Sequence, residues 1–196
     1  MPGLKTLPGI FYLFLKSNKA MSSATINATE LFAALDETTS ELVKLFTSAA
    51  QQKINTIPFK HSWTAAQLAV HVTKSNKAIA QGLNMKGKPA KRNIDEGVPK
   101  LKKMFLDFDV KYKSPEFIVP EEKDYNKEEI IAALQQSIQR LKKIRDEINL
   151  SEIISLPPFG EVTKLELVHF VLYHTKRHVH QLKNIIHVYN LKIKLC

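Results

Sequence analysis

Apolar residues recur at helical spacing in four stretches of the chain, and a capping signal opens each of these stretches. The capping pairs are Asn27 with Glu30, Thr64 with Gln67, Asn126 with Glu129, and Thr163 with Glu166. In such a pair, each side chain accepts a hydrogen bond from a backbone N–H at the start of the helix. The pattern therefore predicts four long amphipathic helices, each burying one apolar face.

The sequence indicates the ends of the helices less clearly than their starts. We expect the first helix to run to about Gln52 and the last to about Val188. About 40 residues, interrupted by prolines, separate the second helix from the third, and there we expect one short helix near Lys100 to Phe108 and no strand pair. No stretch alternates convincingly between apolar and polar residues. The sequence thus predicts an all-α fold, a four-helix bundle with a long crossover between helices 2 and 3.

The length of 196 residues suits one ordinary domain with a hydrophobic core of its own. We expect a flexible extension over residues 1–24, the helical bundle over residues 25–190, and a tail over residues 191–196. The apolar run near the N-terminus is interrupted by Pro8 and Gly9 and is too short to span a bilayer. We therefore expect no membrane partner.

The formal net charge of +10 raises the question of a polyanionic partner. The basic residues are scattered, with small groups only at residues 86–92 and 100–103, and no nucleic-acid-binding motif accompanies them. We expect a solvated basic surface and no specific nucleic-acid partner. Cys196 is the only cysteine, so no intrachain disulfide forms, and a reducing, cytoplasmic location is expected.

Five of the seven histidines lie between residues 169 and 187, and two of them share a helix face. His174 and His178 differ by about 40° around a helix and therefore project side by side. The same stripe contains Leu167 and Val171 before the pair, which places the imidazoles towards the core. Gln181, one turn after His178, could orient a ligand but cannot act as a base.

A third imidazole is expected from the second helix, where His71 lies on the inward stripe with Leu68 and Val72. His61 precedes that helix, and His169 and His180 point elsewhere on the last one. Spacing alone leaves two interpretations open, a metal site and ordinary core histidines. A zincin-type protease is disfavoured because Thr175, not Glu, follows His174.

Two segments, "SWTAAQLAVHV" and "FGEVTKLELVHFVLYHTKRHVHQLKNI", resemble the DinB/YfiT-like superfamily, and the resemblance extends over about residues 25–190. It implies a four-helix bundle whose second helix supplies one histidine and whose last supplies an H-x-x-x-H pair followed by Gln. By this resemblance, His71, His174 and His178 are the ligands of a divalent metal ion, zinc or nickel. Some members of the family are thiol-dependent transferases, isomerases or hydrolases.

The expected function is that of a metal-dependent hydrolase or thiol-dependent transferase acting on a small molecule, with a thiol as one option. The alternative is a non-catalytic metal-binding or stress-related bundle. The sequence identifies no general base, and it leaves open whether the protein forms a homodimer.

Overall fold

The computed structural model describes residues 28–194, with side chains described as far as residue 190. The helices are α1 (Ala28–Ser48), α2 (Gln51–Ile54), α3 (Ala65–Leu83), α4 (Val98–Leu106), α5 (Lys127–Ile144) and α6 (Lys164–Lys194), and a short 3-10 helix spans Glu116–Ile118. The cap predicted at Asn27 and the extension predicted over residues 1–24 lie outside the described residues.

The four long helices α1, α3, α5 and α6 form the bundle. Helix α1 packs against α5 and α6, and α3 also packs against α5 and α6. The predicted inward stripe of α3 is buried, with Leu68, Val72 and Ile79 each at most 4% exposed. The expectation of a mostly helical bundle is therefore confirmed.

The predicted capping pairs within the described residues are present at the helix starts. Thr64 and Gln67 form a reciprocal capping box at the start of α3, and the Asn126 side chain accepts from the Glu129 backbone at the start of α5. At α6, the Glu166 backbone donates to Thr163 Oγ1 at 3.1 Å, and the Thr163 backbone donates to the Glu166 carboxylate at 2.8 Å. These local bonds position the two helices that contribute histidines.

The expectation of an all-α fold is correct only in part, because a small sheet accompanies the helices. A three-stranded antiparallel sheet consists of β1 (Lys88–Pro89), β2 (Glu152–Leu156) and β3 (Gly160–Thr163), in the order β1-β2-β3. The hairpin buries Ile154 opposite Val162 against the apolar core of the bundle. Burial of this cross-strand apolar pair stabilises the short hairpin.

Several helix ends differ from the predicted ones. Helix α1 ends at Ser48, whose hydroxyl donates to the Leu45 carbonyl at 2.7 Å and so competes with continuation of the helix. Helix α5 ends at Ile144, and Ile148, one turn further along the chain, still packs on the core. Helix α6 continues past Val188 to Lys194. The short helix expected near residues 100–108 is present as α4.

Hydrogen bonds to Glu166 connect the segment between α3 and α5 to the start of α6. Its carboxylate, 1% exposed, accepts from both terminal nitrogens of Arg92 at 2.7 and 2.6 Å. The Gly97 backbone N–H donates to the same carboxylate at 2.7 Å. Arg92, counted in the sequence as part of a basic surface group, is therefore committed to an internal ion pair.

The buried side chains form two apolar clusters stacked along the bundle. One contains Ile79 and Phe170, and the other contains Leu68 and Val179. His174 and His178 lie between the two clusters along α6, and His71 lies close to the same level on α3. Within residues 28–194, no helix is both long enough and apolar enough to cross a membrane.

Candidate metal centre

The structure brings together the three histidines that the sequence singled out. His71 on α3 and His174 and His178 on α6 are 2%, 6% and 5% exposed. The Nε2 atom of His174 lies 3.2 Å from Nε2 of His71 and 3.0 Å from Nε2 of His178. One nitrogen from each ring lies within 4.8 Å of the others, which makes a triangle able to surround a single ion.

In two of these rings, the Nδ1 atom, which lies away from the triangle, contacts an oxygen acceptor. His71 Nδ1 lies 3.1 Å from the Ile118 carbonyl oxygen, and His178 Nδ1 lies 2.8 Å from Gln181 Oε1. Because both oxygens only accept, each Nδ1 must carry the proton, and each Nε2 keeps its lone pair. Contacts of this kind fix the tautomer and the orientation of histidine ligands in metal sites.

The lone pairs of His71 and His178 both point at His174, which can donate to at most one of them. A proton is therefore insufficient to satisfy all three nitrogens, whereas a cation satisfies them together. Burial lowers the pKa of His71 to about 4. Burial, followed by the neighbouring charges, lowers the pKa of His174 and His178 well below the usual 6.5. All three rings are thus neutral near pH 7, the form that binds metals.

Two of the three nitrogen separations are close to those around a small divalent ion. Metal–nitrogen bonds of 2.0–2.1 Å in a tetrahedral arrangement place neighbouring nitrogens roughly 3.3 Å apart. The separations of 3.0 and 3.2 Å lie close to this value. The donor set of three imidazoles suits zinc, nickel and other divalent transition metals, and disfavours magnesium and calcium, which prefer oxygen ligands.

The other described histidines lie outside this triangle. The ring of His180 stacks on Phe108 with centroids 4.2 Å apart. His169 is buried near Tyr173, and its Nδ1 atom has no hydrogen-bond partner among the described residues. His61 is exposed in a turn before α3, and His187 is exposed on α6. The geometry thus separates His71, His174 and His178 from the rest.

A sequence model of the DinB superfamily matches residues 34–182 of the chain. The chain belongs to the DinB superfamily. Solved structures with a similar fold include YfiT from Bacillus subtilis, described as a probable metal-dependent hydrolase with an unusual four-helix bundle topology. It shares 14% identity and a TM-score of 0.57, over 87% of this chain and 91% of YfiT.

A second similar structure is TT2238, described as a four-helix bundle protein. It shares 17% identity and a TM-score of 0.53, over 80% of this chain and 98% of TT2238. At these identities, both likenesses establish the fold alone. No curated protein sequence matches the chain significantly.

In this member of the DinB superfamily, the three histidines line a cavity of about 870 Å³. Trp63, Phe105 and Phe170 form part of its apolar wall, and the Trp63 ring centroid lies 4.9 Å from that of His71. A cavity of this size accepts a drug-sized molecule. The histidine nitrogens are therefore buried within the protein yet reachable by a small ligand.

Two further features of this DinB site were not predicted from the sequence. Arg177 lines the cavity and is 6% exposed. Its position three residues after His174 places it near the same helix face, so helical spacing could have identified it. The Ile118 carbonyl that holds His71 is a backbone atom in a distant segment, and no residue type signals it.

Proposed function

We propose that the protein is a metal-dependent hydrolase whose reactive centre is a divalent ion held by His71, His174 and His178. The observation that carries the proposal is the convergence of three Nε2 atoms, with neighbouring separations of 3.0 and 3.2 Å, on a cavity of about 870 Å³. A thiol-dependent transferase would use the same centre, with a thiol in place of the water. Zinc and nickel are the metals we propose, since both suit imidazole ligands.

Each residue of the site has a definite task in this proposal. The three imidazoles hold the ion, the Ile118 carbonyl and Gln181 orient two of the rings, and the apolar wall limits access of water. The bound ion would supply Lewis-acid activation of a water or a thiol. Gln181 cannot accept a proton at neutral pH, so it acts as a positioning residue.

The cavity favours a catalytic role over a purely structural metal. Structural zinc sites are usually closed by four protein ligands, whereas catalytic sites use three and leave a position for water or substrate. Among the described residues, the possible metal-binding group contains three histidines and no fourth member. The reaction class ascribed to the fold neighbour YfiT, a probable metal-dependent hydrolase, is the one proposed here.

Cobalt substitution tests whether the centre is open. We expect the visible spectrum of the cobalt-loaded protein to change on addition of azide or of a thiol such as β-mercaptoethanol, because an open position accepts them. The matched variants are His174→Ala, which should lose the cobalt spectrum, and His180→Ala, which should keep both the spectrum and its response. A cobalt spectrum that ignores thiols and anions would contradict an enzyme and support a structural metal.

The reaction class requires a separate assay. Activated esters and amides should be hydrolysed by the zinc- or nickel-loaded protein and by the loaded His180→Ala variant. The His174→Ala variant and the chelator-treated protein should lose this activity. Hydrolysis that persists equally in His174→Ala would show that the activity does not arise at this centre.

A further inference from the structure

The charged side chains that line the cavity are all basic. They are Lys111, Lys113 and Arg177, and no Asp or Glu within residues 28–194 contributes to the lining. A divalent ion held by three neutral imidazoles would add further positive charge without any carboxylate to balance it. The cavity therefore favours a ligand that brings negative charge.

Arg177 is buried, and no carboxylate among the described residues lies within ion-pair distance of its guanidinium. Its Nη1 donates to the carbonyls of Phe105 and Asp107 at 3.3 and 2.8 Å, and its Nη2 donates to the Val110 carbonyl. These carbonyls satisfy hydrogen bonds but carry no net charge. No ion pair to Arg177 exists among the described residues.

The charge of Arg177 reaches the metal-binding end of the cavity. Arg177 directly precedes His178 in α6 and lines the same cavity as His174 and His178. The Asp107 carboxylate acts on Arg177 only at a distance and forms no ion pair with it, so a ligand anion would offset the cost of burying this charge. Lys111 and Lys113 are exposed near Tyr112 and extend the positive field outward.

Most of the remaining cavity wall is apolar, and apolar side chains extend to its exposed rim. Trp63, Phe159 and Phe170 contribute to the wall. Phe117 and Met85 also line it, although they are 60% and 43% exposed. Large apolar side chains at the opening of a cavity mark a binding surface for an apolar group.

We infer that the cavity binds amphipathic anions, molecules with an apolar body that packs on the aromatic wall and an acidic head attracted by Arg177, Lys111 and Lys113. A medium-chain carboxylate is the simplest member of this class. The inference deepens the proposed function, because it names the substrate class of the same cavity. Like-charge repulsion should weaken the binding of cationic ligands.

Trp63, the only tryptophan of the chain, lines the cavity and reports binding by its fluorescence. The probes are octanoate, octanamide and octylamine, which share the apolar chain and differ in the charge of the head. We expect octanoate to bind about tenfold or more tightly than octanamide, since hydrogen bonds to a charged group are the stronger ones. We expect octylamine to bind most weakly. Equal affinity for octanoate and octanamide would overturn the inference.

Variants locate the source of the preference. Arg177→Met should abolish the preference for octanoate. Because Arg177 also donates hydrogen bonds to three backbone carbonyls, circular dichroism must first show that the variant is folded. The second variant, Lys111→Gln with Lys113→Gln, alters only exposed side chains and should reduce the preference about threefold, as for weakened surface electrostatics. The matched control replaces Lys102 and Lys103, exposed on α4 and outside the cavity, and should leave the preference unchanged. An equal reduction in the control would overturn the inference.

The titrations are made on the full chain in both chelator-treated and zinc-loaded form. A preference for octanoate in the chelator-treated protein supports the inference even if no metal-dependent hydrolysis is found. Metal-dependent hydrolysis without any preference for octanoate overturns the inference and leaves the proposed function intact. The two proposals therefore fail separately.

Discussion

His178 Nδ1 lies 2.8 Å from the side-chain oxygen of Gln181, three residues further along the same helix. The contact holds the imidazole ring so that its Nε2 atom faces those of His174 and His71. Both residues belong to one rigid helix, so the orientation requires no distant segment. Residue 181 is therefore a support for the metal centre, although it is not itself a metal ligand.

We expect Gln181→Leu to weaken zinc or nickel binding about 10- to 100-fold, the usual effect of losing a hydrogen-bond partner behind a histidine ligand. Gln181→Glu keeps an oxygen acceptor, so this variant should retain most of the metal affinity of the unmutated protein. Competition with a chromophoric chelator measures both constants. Gln135→Leu, on the exposed side of α5, serves as the control. Unchanged affinity in Gln181→Leu would show that the ring needs no such support.

His71, His174 and His178 should bind one divalent ion per chain, whereas His180 should take no part. Removing a ligand leaves two imidazoles, so His174→Ala should reduce metal affinity at least about tenfold, by analogy with the loss of a supporting contact. Elemental analysis after incubation with zinc or nickel compares this variant with His180→Ala. Equal loss in both variants, or no stoichiometric metal in the unmutated protein, would contradict the assignment.

The features that could be predicted from the sequence are those that local residue patterns determine. The stripe of Leu68, His71 and Val72 and the i, i+4 spacing of His174 and His178 specify which way the side chains point on a helix. Packing two such helices face to face then brings the imidazoles together. The capping boxes are equally local, since each joins residues three positions apart.

The sheet could not be predicted in the same way. Its first strand is two residues long and pairs with Glu152–Leu156, more than 60 positions away in the chain. Strand pairing at such a separation leaves no periodic signal in a two-residue segment. The hairpin of β2 and β3 carried a weak signal at Gly160, whose φ of 71° favours glycine.

The ion pair between Glu166 and Arg92 should contribute strongly to stability because Glu166 is almost fully buried. Removing one partner leaves the other without compensation, so Glu166→Ala should lower the free energy of unfolding by about 3 kcal/mol. Chemical denaturation measures the change. The control is Glu41→Ala, whose exposed pair with Lys183 should contribute less than about 1 kcal/mol. Similar losses in the two variants would contradict this role for Glu166.

His169 should make the protein sensitive to acid. Burial lowers its pKa from the usual 6.5, and the opposing effect of Asp95 and Glu166 is smaller. At a given acidic pH, His169 therefore binds a proton more readily in the unfolded chain than in the folded protein. The stabilisation by neutral His169 is complete above about pH 6.5 and is lost as the pH falls below that value.

His169→Phe removes both the titrating group and the unpartnered Nδ1 atom, so it should raise stability near pH 7 by about 1 kcal/mol. Its stability should also fall less between pH 7 and pH 5 than that of the unmutated protein. Urea denaturation of metal-free samples at both pH values gives the comparison. The exposed variant His187→Gln should behave like the unmutated protein. An equal acid loss in His169→Phe would assign the sensitivity to other groups.

The oxygen that holds His71 from behind belongs to the main chain at Ile118. A change of side chain at this position cannot remove the acceptor, so substitutions that keep the apolar packing should preserve the orientation of His71. An insertion or deletion between α3 and α5 would shift the carbonyl and leave the imidazole free to rotate. In this stretch, the number of residues is thus a stricter requirement than their identity.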